Sequence, residues 1–561
     1  MKGSQNVGGT FNPFHLKPNQ LGATYQNQIN SVHDEPHTSE CNLGYEPKLF
    51  RGLTGLTNFA VCFTEVACLV SAVLTFGIGL ANGGPVVVFW SFILTSIMIM
   101  NVGYCMAEIC AAYPAAGAVY NWAGQLATPK LAPLLSYVTG WSNFVGNAAG
   151  DASFAFGFAE IVSSISLLVG GGALNVADEV TLSILILAIW TIMSCIRIDQ
   201  MGWLNIVAVF AHISAILVIV VALQTMPSEL NTWSWVLSTY HNDSGFKSPT
   251  YVVSTGITGA FYMFVGYEAS AHLAEETSGR SGEAPRGIIR TIQATVVGGA
   301  MLLLALLFAT PPNIVDALGQ GSYDTGCVAI NVLAIAVGKT WAMRMASLIA
   351  VNMFFGGLAS VAVTGRIAFA LARDGALPCS QTLSRTHEKF QSPVNCLLFI
   401  FVMDSIVLLL PLMGDGGQTA FYAIINLSTL GFQVSYLIPI ILRQFSNPTD
   451  FPSAPMNLGK FSKVTGTIAI VWLLGSSLLL FLPYESPVTA GNFNWLCVVT
   501  TITILAGTCN WLFNSRFSFT GPNRIVVEKR EAVLSDEVLW RSCTFESKPL
   551  TEVERRESIH G

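Results

Sequence analysis

Apolar positions in this chain gather into long runs separated by short polar connections. A run of roughly 20 residues spans a bilayer as a helix. Twelve such runs occur, near 56–80, 86–110, 134–168, 180–197, 202–224, 250–272, 290–311, 341–372, 394–413, 419–442, 464–483 and 494–513. The runs at 134–168 and 341–372 are over-long, so each is expected to tilt or to extend into the cytosol. They define a transmembrane domain over 48–513, between polar tails at 1–47 and 514–561 that read as flexible. The N-terminal tail has no apolar core of the kind a cleaved signal peptide needs.

Lysine and arginine, not net charge, set orientation. With the N-terminus inside, the outer loops hold only Lys247, Lys339 and Arg344 of the 27 basic residues. Both termini are therefore predicted to be cytoplasmic. The sequon Asn242-Asp243-Ser244 then falls in an outer loop and marks Asn242 as a candidate glycosylation site. A second sequon, at Asn426, lies inside a span.

Composition sharpens this picture. Hydrophobic residues make up 52% of the chain and charged ones only 11%, with a mean hydropathy of +0.56. An ordinary soluble domain carries about 25% charged residues, so too little polar surface exists to cover a water-soluble body of this length. The net charge of −6 sits in loops and tails and no basic cluster suggests nucleic acid. The 12 cysteines fall mostly in apolar runs without a CxxC pair, which argues against a disulfide framework or a zinc site. No cofactor or metal is expected, and the absence of GxxxxGK[ST] leaves ATP without a binding loop.

Against this background FVGYEASAHLAEE, residues 264–276, concentrates three carboxylates and a histidine. An acid facing lipid at mid-membrane costs ~2.5–3.5 kcal/mol on insertion scales, so these groups face a cavity, a partner or the membrane edge. Gly266 frees the backbone to leave the helix, and Tyr267 and Glu268 follow beside that break. Glu268 is read as a site residue, the alternative being a structural acid bonded to a neighbouring helix. Glu275 and Glu276 lie two turns on, next to Arg280, Arg286 and Arg290. A solvated face is the favoured reading for both, an inner gate the other. His272 lacks the second histidine of a zinc-protease motif.

Asn143, Asn147 and Asp151 recur every four residues and line one helix face. Such a stripe faces other helices, either for interhelical hydrogen bonds or for substrate. His212 stands alone among apolar residues, read either as a proton relay or as a neutral ring bonded to a backbone carbonyl. Asn352 and Phe355 are candidate pocket-lining residues, with helix packing the alternative for Phe355. Arg366, Arg373 and Asp374 close the eighth run, for anchoring in preference to inner-gate pairing. Glu160 has no assignment.

Several stretches carry a family resemblance. MAEICAAYPAAGAVYNWAGQLA (106–127) resembles the second-helix signature of the amino acid–polyamine–organocation superfamily. GYEASAHLAEET (266–277) resembles the sixth helix of its amino acid/choline transporter branch, which includes GABA permeases and bidirectional amino-acid permeases. FFGGLASVAVTGRIAFALARDGALP (354–378), YLIPIILR (436–443) and FTGP (519–522) match in the same order. The resemblance implies an all-α integral membrane fold of 12 transmembrane helices. Two inverted five-helix repeats form a LeuT-like core, two extra helices follow, and substrate binds where helices 1 and 6 are broken. FTEVACL (63–69) then corresponds to the first break, placing Thr64, Glu65, Val66 and Ala67 at the site. Many relatives have glycines here; Glu65 is a departure that repels a carboxylate and attracts an amine. The same resemblance sets the third helix beside the site and puts His212 near a basic residue of proton-coupled members.

The function these features favour is secondary active transport of amino acids or GABA by alternating access, driven by protons or by exchange. A choline, ethanolamine or polyamine permease is the alternative, supported by Glu65 and Asp151. A non-transporting nutrient receptor is a third reading, and a membrane enzyme finds no catalytic cluster. The expected partners are a small-molecule substrate and the bilayer, at the plasma membrane in preference to the vacuole.

Overall fold

A computed structural model describes residues 52–196, 198–277, 282–320, 324–386, 392–413, 417–445, 451–452 and 454–522, with the side chains at 198–202, 275, 320, 413 and 417–418 excepted. The N-terminal tail, Arg280, the Glu275 side chain and the chain from 523 onward lie outside the described residues. Spans are numbered below by the twelve apolar runs.

Among the described residues the protein is helical, with two isolated bridges, Leu53 to Thr277 and Asn82 to Asn242, in place of any sheet. Among the described residues eleven helical segments, with Gly55–Ala81 taken as one, are long and apolar enough to cross a membrane. Their outward faces are apolar too: Ile192, Phe210, Val221, Leu478 and Ile502 are all exposed. Apolar surface on that scale suits a hydrocarbon surround.

The first apolar run is not one continuous helix. Gly55–Val66 starts on Thr54, whose hydroxyl accepts from the Thr57 amide while the Thr57 hydroxyl answers the Thr54 amide. It stops at Ala67, which takes a left-handed conformation at φ 44°, and Cys68–Ala81 continues from there. Alanine carries a Cβ that disfavours this region by ~1–2 kcal/mol, so surrounding contacts hold the turn. The Gly356 Cα approaches it so closely that an added Cβ would sit 3.2 Å from the Ala67 Cβ.

The sixth run is more fragmented. Pro249–Gly256 is α-helical, Ile257–Ala260 and Tyr262–Phe264 are tighter 3₁₀ turns, and Val265 is extended. Gly266 follows at φ 89°, a conformation open to glycine, before the short helix Ala269–His272 and the turn Ala274–Glu276. No single helix here reaches spanning length, which is why the count is eleven.

Around these interruptions pack the third span (Ala132–Val169), the eighth (Lys339–Arg373) and the tenth (Gly417–Phe445). The third and tenth meet backbone to backbone: a Cβ added at Gly431 would lie 2.6 Å from the Gly146 Cα. That approach brings Asn143 level with Ser435. Spans eleven (Ser462–Leu479) and twelve (Leu496–Asn510) sit outside this group, and within their spanning windows only 28% and 11% of residues are buried. Helical turns continue to Ser518, and Phe519 is buried against the inner core cluster.

Candidate functional site

At Ala67 the helical ladder breaks and leaves amides in need of partners. The Ala67 N–H still reaches the Phe63 carbonyl (3.2 Å), and Val70 and Ser71 restart the ladder on the Ala67 carbonyl (2.9 and 3.0 Å). Between them the Leu69 amide donates to His212 Nε2 at 3.4 Å, and the Cys68 Sγ lies 3.3 Å from the same nitrogen. His212 is buried, stands edge-on to Phe63 and neighbours Asn352. Its ring thus accepts from a backbone amide, a partner that neither of the two readings of His212, proton relay or ring bonded to a carbonyl, had named. The amides of Ala67, Leu69, Val70 and Ser71 therefore all have acceptors across the turn.

The two interruptions face each other through Glu65. A Cβ built on Gly266 would lie 3.5 Å from Glu65 Cγ and Oε1, so the carboxylate stem packs on the bare Gly266 backbone. Glu65 is buried, its Oε2 has no partner, and it lies within the electrostatic reach of Glu268 and Asp151. The Thr64 hydroxyl is also buried and unpartnered, while the Val66 carbonyl accepts from Ser71 Oγ at 3.2 Å. Cys62, one turn back, points its thiol at the Tyr267 carbonyl (3.2 Å).

Glu268 is fully buried and held from two sides. Asn143 Nδ2 donates to Oε1 at 3.1 Å, and the Tyr436 hydroxyl donates to Oε2. Asn143 also approaches Ser435 Oγ at 3.4 Å, so spans three, six and ten meet at this carboxylate. The Tyr267 ring packs on Tyr436 with centroids 5.2 Å apart, and its own hydroxyl has no partner. Asn147 donates to the Asn143 carbonyl (2.9 Å) and leaves Oδ1 unpaired. Asp151 accepts from Ser360 Oγ of the eighth span through Oδ1, and its Oδ2 is unpaired.

A buried polar atom without a partner costs ~1–3 kcal/mol. Here Thr64, Glu65, Asn147, Asp151 and Tyr267 each hold one, around the two interruptions. A cavity of about 20 Å³ lies between Ala72, Phe76, Val88, Gly259 and Met263, and one of about 10 Å³ between Val61, Ser194, Leu358 and Arg366. Each has room for about one water.

The remaining candidates divide. Glu276 is only 2% exposed and pairs with Arg366 at 2.7 Å, linking the end of the sixth segment to the eighth span. A solvated face for Glu276 is therefore corrected to a buried ion pair, since burial leaves it no water to face. Nearby, Asn58 Nδ2 bonds the Ser270 carbonyl (3.0 Å) and Thr277 Oγ1 (2.8 Å), clasping the first and sixth segments at the same end. Asp374 receives the Tyr120 hydroxyl at 3.0 Å and lies 3.6 Å from Arg373. Asn352 donates to its own helix at Leu348 (2.8 Å), and Phe355 packs on Phe354, apart from the Glu268 cluster. Asn242 is exposed, with Nδ2 bonded to the Phe246 carbonyl at 2.8 Å.

Sequence reasoning did not single out Tyr436, Ser435, Ser360 or Tyr484. Tyr436 opens YLIPIILR, which carried the resemblance, yet nothing local marks it as the partner of a residue 168 positions away. Tyr484 lies in the connection between spans eleven and twelve. Its hydroxyl meets Thr258 Oγ1 (3.2 Å) and Asn426 Nδ2 (3.0 Å), bridging the sixth segment and the tenth span.

Interrupted helices thus converge on buried, unpaired polar groups, and comparison with known proteins gives the class of the protein. The family model described as amino acid permease matches residues 53–504. The amino-acid permease BAT1 of Arabidopsis thaliana is 31% identical over 86% of this chain and 95% of its own length. Its Oryza sativa homologue is 30% identical over 87% of this chain and 96% of its own. A GABA-specific permease of Saccharomyces cerevisiae is 25% identical over 93% of this chain and 92% of its own. The chain belongs to the amino acid permease family. Its class is transport of amino acids, not catalysis.

Proposed function

We propose that this permease moves zwitterionic amino acids or GABA by alternating access, through a site between the interruptions at Ala67 and Gly266. The observation that carries this reading is the set of buried, unpartnered polar atoms on Thr64, Glu65, Asn147, Asp151 and Tyr267. A substrate ammonium supplies three donors to Glu65 and Asp151. Its carboxylate suits the positive end of the half-helix dipole at the start of Cys68–Ala81. Two inverted repeats of five spans, with the sixth segment crossing as a broken helix and two further spans, make the twelve-span architecture. Both termini are cytoplasmic and the plasma membrane is the favoured location, with proton coupling or exchange as the energy source.

In this arrangement the closed ends become gates. Glu276–Arg366 and the Asn58 clasp seal the cytoplasmic side; Tyr484, bridging Thr258 and Asn426, seals the outer side. Substrate entry needs one seal to open while the other holds. A second reading, an organic cation such as choline or a polyamine, draws support from the electrostatic grouping of Glu65, Asp151 and Glu268. The test is uptake of labelled GABA and a neutral amino acid by permease-deficient cells expressing the chain. Saturable zwitterion uptake supports the first reading; entry of labelled choline or spermidine alone supports the second.

A further inference from the structure

Past span twelve the chain stays on the protein. Helical turns run on through Trp511–Ser515 and Arg516–Ser518, the first of them a widened π turn. Asn510, Asn514, Ser515 and Ser518 recur at helical spacing, so their side chains gather on one face. That face meets the turn after the eighth span. Gly375, at φ 85°, ends the eighth helix in the left-handed conformation, so the next carbonyls fall beyond the helical ladder and need other donors. All three receive them from this face. Asn510 Nδ2 and Ser515 Oγ donate to the Ala376 carbonyl (2.9 and 2.8 Å). Asn514 Nδ2 donates to the Leu377 carbonyl (3.2 Å), and Ser518 Oγ to that of Gly375 (3.0 Å). Phe519 is then buried in one cluster with Tyr120, Tyr137 and Leu377, its ring 6.3 Å from that of Tyr137. Pro522 rests on the short helix Ala118–Leu126, where a Cβ added at Gly124 would lie 2.5 Å from the proline Cγ.

Residues 510–522 thus reach from the end of the eighth span to the helix Ala118–Leu126. The end of the sixth segment is bonded to the same two elements. Glu276 pairs with Arg366 of the eighth span at 2.7 Å, and His272 Nδ1 lies 2.9 Å from the Ala116 carbonyl, two residues before that helix. Opening at this end requires the sixth segment to leave both, and 510–522 holds the two at a fixed spacing around it. The four side-chain contacts that do so are neutral, and Ser518 is exposed. Neutral bonds at an exposed edge exchange for bonds to water at little net cost. The buried Glu276–Arg366 pair has no such exchange open to it.

We propose that residues 510–522 form a strap across the inner end of the permease, docked while the Glu276–Arg366 seal is closed and released when it opens. The proposal rests on the transport reading above. Docking of the strap sets the rate of inward opening.

The test uses the purified full-length chain. A Cβ added at Gly375 would lie 3.5 Å from the Ser518 Cβ, within the roughly 3.5–4.5 Å that a disulfide spans. Gly375→Cys combined with Ser518→Cys, oxidised with copper phenanthroline in proteoliposomes, should exchange labelled amino acid at least tenfold more slowly. Dithiothreitol should restore the rate, and each single variant should not respond to the oxidant. Undiminished exchange by the cross-linked chain overturns the proposal, because a static brace can be locked without loss. A second variant, Asn514→Ala with Ser518→Ala, keeps Gly375 and needs no cross-link. Cys62, which lies between the Asn58 clasp and Glu65, should react with a maleimide at least threefold faster than in wild type, while Cys68 beyond the Ala67 turn keeps its rate. Equal acceleration at both cysteines, or none at Cys62, overturns the proposal. Failure of the wild type to exchange any amino acid instead sinks the transport reading, while the Cys62 labelling still decides the strap.

Discussion

Glu268 concentrates the residue-scale chemistry, because a fully buried carboxylate is tolerable only when donors reach it from outside its own helix. Asn143 and Tyr436 are those donors, and they come from two different spans. A hydrogen bond to a charged group is worth ~1.5–3 kcal/mol. Tyr436→Phe and Glu268→Gln should each lower uptake kcat/KM by about ten- to a hundredfold, at roughly 1.4 kcal/mol per tenfold. The double variant should be no worse than the worse single, since both act on one contact. Additive losses in a transport assay would show that the two residues work separately. Glu268 stood out in the sequence because charge is rare in an apolar run. Tyr436 did not, because an aromatic in a membrane span is ordinary until its partner is known. Ala67 was placed at the first break by the family resemblance alone: nothing in alanine itself announces a left-handed turn.

At the scale of elements, seals at the two ends of the interrupted segments determine access. Removing one partner of a buried ion pair leaves the other uncompensated, a cost of ~3–5 kcal/mol. Glu276→Ala or Arg366→Ala alone should thus nearly abolish uptake and reduce folded protein. The exchanged pair, Glu276→Arg with Arg366→Glu, should recover part of both. No recovery, measured as surface protein and initial uptake rate, would argue that position rather than charge matters. At the opposite end the Tyr484 hydroxyl makes two neutral contacts, each worth about 1 kcal/mol. Tyr484→Phe should raise KM several-fold with folded yield unchanged, as the outer seal loosens; an unaltered KM would remove Tyr484 from the gate. The long spans were legible because ~20 apolar residues in a row permit little else. The fragmentation of the sixth segment was legible only at Gly266, since its 3₁₀ turns answer to packing against the first segment, not to local pattern.

At the scale of the whole molecule, the apolar outer faces and the scarcity of charge describe one object, a body solvated by lipid around a polar interior. The basic-residue asymmetry predicts its orientation. Glycosylated wild-type chain should lose its glycosidase-sensitive mobility shift on Asn242→Gln, and a shift that persists in that variant would place the outer loops differently. The family was legible from motifs spread over most of the chain, whereas the pairing of distant residues such as Tyr436 and Glu268 belongs to tertiary contact and left no sequence trace. The central claim, that the Ala67 and Gly266 interruptions enclose a site for a zwitterion, is tested most directly by competition. Uptake of labelled GABA and a neutral amino acid would be measured in permease-deficient cells expressing wild type or Glu65→Gln, with excess choline, spermidine or lysine. The account predicts zwitterion uptake that withstands these cations in wild type and falls at least tenfold in Glu65→Gln. Absence of zwitterion uptake, with choline or spermidine entering through a Glu65-dependent route, would contradict it.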